Sequence, residues 1–64
     1  MKKQLLEYLN ELLKEEKRLS NFNIERMDKE SDFASYYREQ YLINYYRIEL
    51  IMDMIAKIED MKEE

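Results

Sequence analysis

The 64-residue chain has no glycine, proline, cysteine, histidine or tryptophan. The lack of cysteine excludes disulfides and thiolate metal sites, and without glycine or proline the usual signals for strands and tight turns are missing. The lack of histidine removes the commonest general base and an important metal ligand. Helix over nearly the whole chain is the simplest interpretation, and we expect neither a cofactor nor a metal site.

The remaining polar residues do not form a recognisable catalytic set. Ser20, Ser31 and Ser35 have no histidine to activate them, and di-iron sites in helical bundles need Glu-x-x-His pairs. Neighbouring carboxylates such as Glu15 and Glu16 point to different sides of a helix. We therefore expect no catalytic residue and a protein that is not an enzyme.

Charge and hydropathy narrow the range of partners. Charged residues make up 41% of the chain and the net charge is −4, which disfavours non-specific attraction to nucleic acid or an anionic membrane surface. No apolar run approaches the ~20 residues of a membrane span, and Glu7, Asn10 and Glu11 interrupt the apolar core that a signal peptide needs. The sequence predicts a cytoplasmic protein with protein partners. Its bias toward Lys, Ile, Asn, Tyr and Glu is the one we expect of a small reading frame from a low-GC bacterium, its phage or another mobile element.

The strongest pattern runs from residue 33 to residue 58, where seam residues recur at alternating steps of three and four, the a and d rhythm of a coiled coil. The seam consists of Ala34, Tyr37, Tyr41, Asn44, Ile48, Ile51, Ile55 and Ile58. If Ala34 is heptad position a, one flank of the seam is formed by positions g and c. Position g holds Phe33, Gln40, Arg47, Met54 and Met61, and position c holds Tyr36, Ile43 and Leu50. The apolar arc is thus wider than the ~100° stripe of a helix that rests on one core. This helix is expected to have more than one neighbour.

The first helix is predicted near residues 2–29, with a leucine-rich face. That face is formed by Leu5, Leu9, Leu12 and Leu19, widened by Leu6 and Leu13. Two stretches offer a turn, residues 20–23 and residues 30–32, and the second contains Ser31 and Asp32 as candidate N-caps.

The two turn positions pair the leucines differently. A turn near 30–32 sets Leu5 level with Ile58 and Leu12 level with Ile51, whereas a turn at 20–23 sets the same leucines against polar residues. We therefore predict an antiparallel two-helix hairpin, a single domain with helices near 2–29 and 32–62. Because so short a chain buries only about 60% of its unfolded surface, we expect the hairpin to dimerise into a four-helix bundle.

The later turn also aligns polar residues. Glu16 comes level with Arg47, and Asn44 lies on the seam, so these three predict a buried polar layer that sets the register. The alternative is that Arg47 reaches solvent and Asn44 lies at the edge of the seam. The same register aligns three more pairs of opposite charge, Lys3 with Asp60, Lys14 with Glu49, and Glu25 with Arg38.

A separate group of apolar residues lies on the second helix, away from the seam. It consists of Leu42, Tyr45, Tyr46 and Met52. Tyrosine and methionine are enriched at protein interfaces, so we interpret this group as a surface covered by another subunit or by a partner protein.

A dimer of helical hairpins of this size resembles the plasmid copy-number proteins of the Rop type, which bind paired RNA loops. Their first helix presents Lys, Asn, Phe, Gln and Lys at steps of seven, four, four and seven, and this sequence is similar at Lys3 and Asn10. It differs at Lys14, Arg18 and Glu25, and the last of these would repel a phosphate. The leading hypothesis is a protein-binding module, an adaptor or inhibitor, and the alternatives are a Rop-like RNA-binding regulator and a purely structural bundle.

Overall fold

The computed structural model describes residues 1–61 and consists of two long helices that pack against each other in opposite directions. Helix α1 spans Lys2–Lys29, a 3₁₀ helix spans Ser31–Phe33, and α2 spans Ala34–Asp60. The molecule is a rod of 53 × 14 × 10 Å. The predicted all-α hairpin is confirmed. Within residues 1–61, no helix combines the length and the apolar character that a bilayer span requires.

The chain reverses at Glu30, where the backbone leaves helical geometry at φ −118° and ψ 83°. The Glu30 N–H still donates to the Arg26 carbonyl at 2.8 Å, and the Phe33 N–H donates to the Glu30 carbonyl at 3.1 Å. These two bonds let the chain turn without glycine because they satisfy backbone groups on both sides of the reversal. The alternative turn at residues 20–23 lies inside α1.

The start of α2 differs from the expected position near residue 32. The helix begins at Ala34, and the N-cap position is held by Phe33, with no side-chain cap hydrogen bond. Ser31 and Asp32 do not act as caps because both belong to the 3₁₀ turn. The predicted end of this helix at residue 62 lies outside the described residues.

The face of α2 that packs against α1 is the one that its seam predicts. Each seam residue is buried or half-buried, and these residues are Ala34, Tyr37, Tyr41, Asn44, Ile48, Ile51, Ile55 and Ile58. Gln40 beside them is half-buried as well, while most of the other α2 side chains are exposed. The seam therefore turns toward α1 over its whole length.

The inner face of α1 differs from the sequence prediction at its first leucine. Its buried and half-buried residues are Lys2, Leu6, Leu9, Leu12, Leu13, Glu16, Leu19, Ser20, Asn23, Met27 and Glu30. Leu5, expected on the seam, is exposed. Leu9, Leu12 and Leu19 of the predicted face are buried or half-buried, so that face is kept in part, and the pairing of Leu5 with Ile58 and of Leu12 with Ile51 stays a prediction. Leu6 and Leu13, predicted to widen the face, are half-buried as well.

The hairpin buries few apolar side chains. Only Leu9, at 5% exposed, and Ile51, at 7%, are buried apolar residues among those that the structure describes. Ser20, Asn23 and Asn44 are buried alongside them. Two helices that meet along one stripe can cover little more than that stripe, so their apolar flanks stay open to solvent.

The open end of the rod is closed by Lys2. Its ammonium group donates to the carbonyl oxygens of Glu59 at 3.2 Å and Met61 at 2.7 Å. Helix α2 ends there, and its last carbonyls have no partners within their own helix. A cation at this position also opposes the negative end of the helix dipole. The two carboxylates of residues 63–64, which the sequence places near the same end, lie outside the described residues.

Candidate interaction sites

A buried polar layer lies midway along the hairpin. Asn44 of α2 contacts Glu16 and Asn23 of α1, two residues that lie seven positions apart on one face of that helix. The Asn23 side-chain amide donates to Asn44 Oδ1 at 2.7 Å, and the Asn44 amide donates to Glu16 Oε2 at 2.7 Å. Asn44 is only 4% exposed, so its carbonyl and amide both depend on these partners.

Arg47 completes the layer at the surface. Its guanidinium Nη1 lies 3.5 Å from Glu16 Oε1, the carboxylate oxygen that does not bind Asn44. The Glu16 side chain is 15% exposed and the Arg47 side chain is 60% exposed. The two oxygens of the Glu16 carboxylate thus have separate partners, one inside the seam and one at its edge. Within residues 1–61, no buried side-chain nitrogen or oxygen lacks a hydrogen-bond partner.

The structure brings together the three residues predicted to form a polar layer, Glu16, Asn44 and Arg47. Sequence reasoning missed Asn23 and Ser20. The spacing contained a signal, because Ser20 and Asn23 follow Glu16 by one and two helical turns and share its face. We predicted the α1 seam from its leucines alone, so this polar row was not predicted.

The other predicted charge pairs between the helices do not form. Among the residues that the structure describes, Glu16–Arg47 is the one ion pair that links α1 to α2. The remaining ion pairs lie at the surface within α1 and α2 or at the end of α1, and they are Glu15–Arg18, Arg26–Glu30 and Asp53–Lys57. Such exposed pairs contribute little to stability because water screens them, so we expect the register to depend on the polar layer and the apolar seam.

Both helices contribute to an extended apolar surface, here called the broad face. Its α1 members follow the rows that flank the seam, and they are Leu5, Tyr8, Leu12, Leu19 and Phe22. Its α2 members are Phe33, Tyr36, Ile43, Leu50, Met54 and Met61. Leu12 and Leu19 are half-buried and the rest are exposed.

One ion pair places these rows on the same side of the hairpin, because Arg47 in the α2 row lies 3.5 Å from Glu16 of α1. The pKa of the Tyr37 hydroxyl on α2 is raised by burial and by the Glu30 carboxylate, and the charge of Arg26 in the α1 row lowers it, which agrees with that placement. The broad face is therefore one surface made by two helices.

The group Leu42, Tyr45, Tyr46 and Met52, here called the tyrosine patch, lies on the other side of α2. All four side chains are exposed. The rings of Tyr45 and Tyr46 meet edge to face with centroids 5.9 Å apart. The Glu49 carboxylate, one helical turn away, raises the pKa of Tyr45 because it stabilises the protonated hydroxyl. Leu42 and the two tyrosines are neighbours on the helix surface, and Met52 lies farther along, beyond Glu49.

The described residues offer little for a small ligand or an ion. Within residues 1–61, no three acidic side chains come together as a metal site. A depression of about 330 Å³ at the turn is lined by Glu30, Phe33, Tyr36 and Tyr37. It opens on the broad face and contains aromatic surface with one carboxylate. A lining of this kind suits an apolar side chain of a binding partner better than it suits a substrate or an ion.

Comparison with protein-family models, with curated proteins and with solved structures gave no match to this chain. The features that bear on function are therefore the polar layer, the broad face and the tyrosine patch of the hairpin.

Proposed function

We propose that this protein is a non-enzymatic protein-protein interaction module that acts as a homodimer. A second copy covers the broad face, which makes a four-helix bundle, and the tyrosine patch remains outside to bind a protein partner. The observation that carries the proposal is the contrast between the exposed broad face and an interior that, within residues 1–61, contains two buried apolar side chains.

The second copy is the occupant that best fits the broad face. It offers an equally long apolar surface, and a two-fold interface places the same patch on both subunits. Full burial of one Leu, Ile, Met or Phe side chain contributes about 1.5–3 kcal/mol. Cover of many such side chains on both copies is the favourable term that can offset the roughly 4–15 kcal/mol that association costs.

The tyrosine patch stays accessible in this dimer because it lies away from the broad face. Its aromatic rings supply a large contact area with few rotatable bonds, which is typical of residues that dominate binding energy. Glu49 and Asp53 border the patch on the outer surface of α2. A partner segment that combines apolar and basic side chains would complement it, and an adaptor or inhibitor role follows from such binding.

Two leucines of α2 allow a matched test. Leu50 belongs to the broad face and is 60% exposed, whereas Leu42 belongs to the tyrosine patch and is 42% exposed. We expect Leu50→Lys to shift the mass measured by light scattering from two chains toward one. We expect Leu42→Lys to keep the dimer mass and the helical circular dichroism but to lose the partner in affinity capture from lysate.

The outcomes separate the proposal from its rivals. A wild-type chain that stays monomeric and folds cooperatively at all concentrations would contradict the dimer. Loss of the dimer mass in Leu42→Lys would make the tyrosine patch part of the subunit interface. Captured RNA that nuclease removes would favour the Rop-like regulator, and capture of nothing would leave a structural bundle.

A further inference from the structure

The charges on the broad face distinguish two ways of stacking the hairpins. Glu15 interrupts the α1 row of Tyr8 and Phe22, and Arg47 interrupts the α2 row of Phe33, Met54 and Met61. Both charged residues lie close to the midpoints of their helices, Lys2–Lys29 and Ala34–Asp60. Both side chains are more than half exposed in the hairpin, so a covering subunit meets them at the centre of the interface.

A two-fold axis within the interface can run across the helices or along them. If it runs across them, each helix lies on its own copy and the turns are at opposite ends. Residues near the helix midpoints then face themselves, so Arg47 meets Arg47 and Glu15 meets Glu15. If the axis runs along the helices, α1 lies on α2 of the other subunit, the turns are at the same end, and Arg47 faces Glu15.

We infer that the second copy binds with its turn at the same end, so that Arg47 of each subunit pairs with Glu15 of the other. This inference rests on the dimer proposed above and specifies its geometry. Like charges opposed at a covered interface are unfavourable, and opposite charges select one arrangement over another. On the free hairpin Glu15 already pairs with Arg18 and Arg47 already pairs through Nη1 with Glu16 of its own chain. The carboxylate keeps lone pairs and the guanidinium keeps N–H donors for a second partner.

A distance measurement tests the arrangement directly. The chain has no cysteine, so Ser31→Cys at the exposed turn takes a single nitroxide label in each subunit. Pulsed electron spin resonance should give an intersubunit distance below about 30 Å, from helix spacings of about 8–10 Å plus the label tethers. A distance close to the 53 Å length of the rod would overturn the arrangement and keep the dimer. A chain that shows no intersubunit coupling and the mass of a monomer would contradict the dimer itself.

A charge exchange tests the pair independently. We expect Glu15→Arg to raise the dimer dissociation constant about fivefold, in line with a partly exposed ion pair, and the added change Arg47→Glu to restore it. Glu11→Arg, which makes the same charge change on the outer side of α1, is the matched control. If Glu15→Arg behaves like Glu11→Arg and Arg47→Glu gives no rescue, the two residues do not meet.

Discussion

At the residue scale, the pairing of the helices depends on Asn44. This residue occupies a seam position where an aliphatic side chain would pack more easily, and it is buried between Glu16 and Asn23. A buried amide has to find partners, because an unpaired polar group costs about 1–3 kcal/mol. The need to satisfy this amide explains why α1 presents a row with polar residues at its middle.

Asn44→Ala should therefore lower the free energy of unfolding by about 1–3 kcal/mol, since it leaves the Asn23 amide and part of the Glu16 carboxylate without a partner. Urea denaturation followed by circular dichroism measures the loss. Leu42→Ala, on the outer side of the same helix, is the control and should change stability by less than about 0.5 kcal/mol. Equal effects of the two substitutions would show that the polar layer does not hold the helices in place.

Replacing the hydrogen-bonded side chains of the polar layer with leucine is expected not to lower the free energy of unfolding. The combined variant Glu16→Leu, Asn23→Leu and Asn44→Leu should be at least as stable as the wild type, because apolar packing often matches a buried polar network in energy. It should also lose its unique register, as coiled coils do when a buried asparagine is removed. We expect extra or broadened amide signals in the NMR spectrum, and one sharp set of signals would argue against a register-setting role.

At the element scale, both ends of the rod are closed by contacts that do not need glycine. The turn uses two backbone hydrogen bonds around Glu30, and the open end uses the Lys2 ammonium group on the last carbonyls of α2. Each set of contacts satisfies backbone groups that a helix end would leave unpaired. Because both sets link α1 to α2 or to the turn, the two helices begin and end at about the same levels of the rod.

Lys2 and its neighbour Lys3 provide a matched pair for the open end. Lys2→Ala should destabilise the hairpin by roughly 0.5–1 kcal/mol and speed hydrogen exchange of the last amides of α2, because the carbonyls lose a cationic donor. Lys3→Ala removes the same charge from an exposed position and should leave exchange there unchanged. If the last amides of α2 exchange at the same rate in both variants, the change in exchange comes from the altered net charge and not from the loss of the Lys2 hydrogen bonds.

The position of the turn can be tested by insertion. A short Gly-Ser segment after Glu30 should be tolerated, because a longer loop adds little entropy. The same insertion after Ser20 should destabilise the protein, since it rotates every later residue of α1 off the seam. Thermal melts of the two variants distinguish them, and a reversed order would place the working turn near Ser20.

At the scale of the whole molecule, the hairpin is half of a more stable assembly in our proposal. Chains of this size need additional burial, and the proposed dimer supplies it on the broad face. The tyrosine patch and the broad face occupy different sides of α2, so the proposed dimer leaves the proposed partner site accessible.

A dimer linked to folding predicts a melting temperature that rises with protein concentration. We expect this rise for the wild type over a hundredfold range, measured by circular dichroism. The Leu50→Lys variant should melt at a lower temperature with little dependence on concentration. A wild-type melting temperature that does not change with concentration would contradict a folding-linked dimer.

The sequence by itself determined the helices, the face of α2 that turns inward and a turn position that agrees with the structure near Glu30. These features depend on local periodicity and on the absence of glycine and proline, which the chain carries without reference to its neighbours. The rotation of α1 about its axis was decided only in the tertiary structure. The leucine pattern allows two adjacent rows, one with Leu5 and Leu12 and one with Leu6 and Leu13, and both are apolar. The choice follows from hydrogen bonds between the helices, because only the second row turns Glu16 and Asn23 toward Asn44.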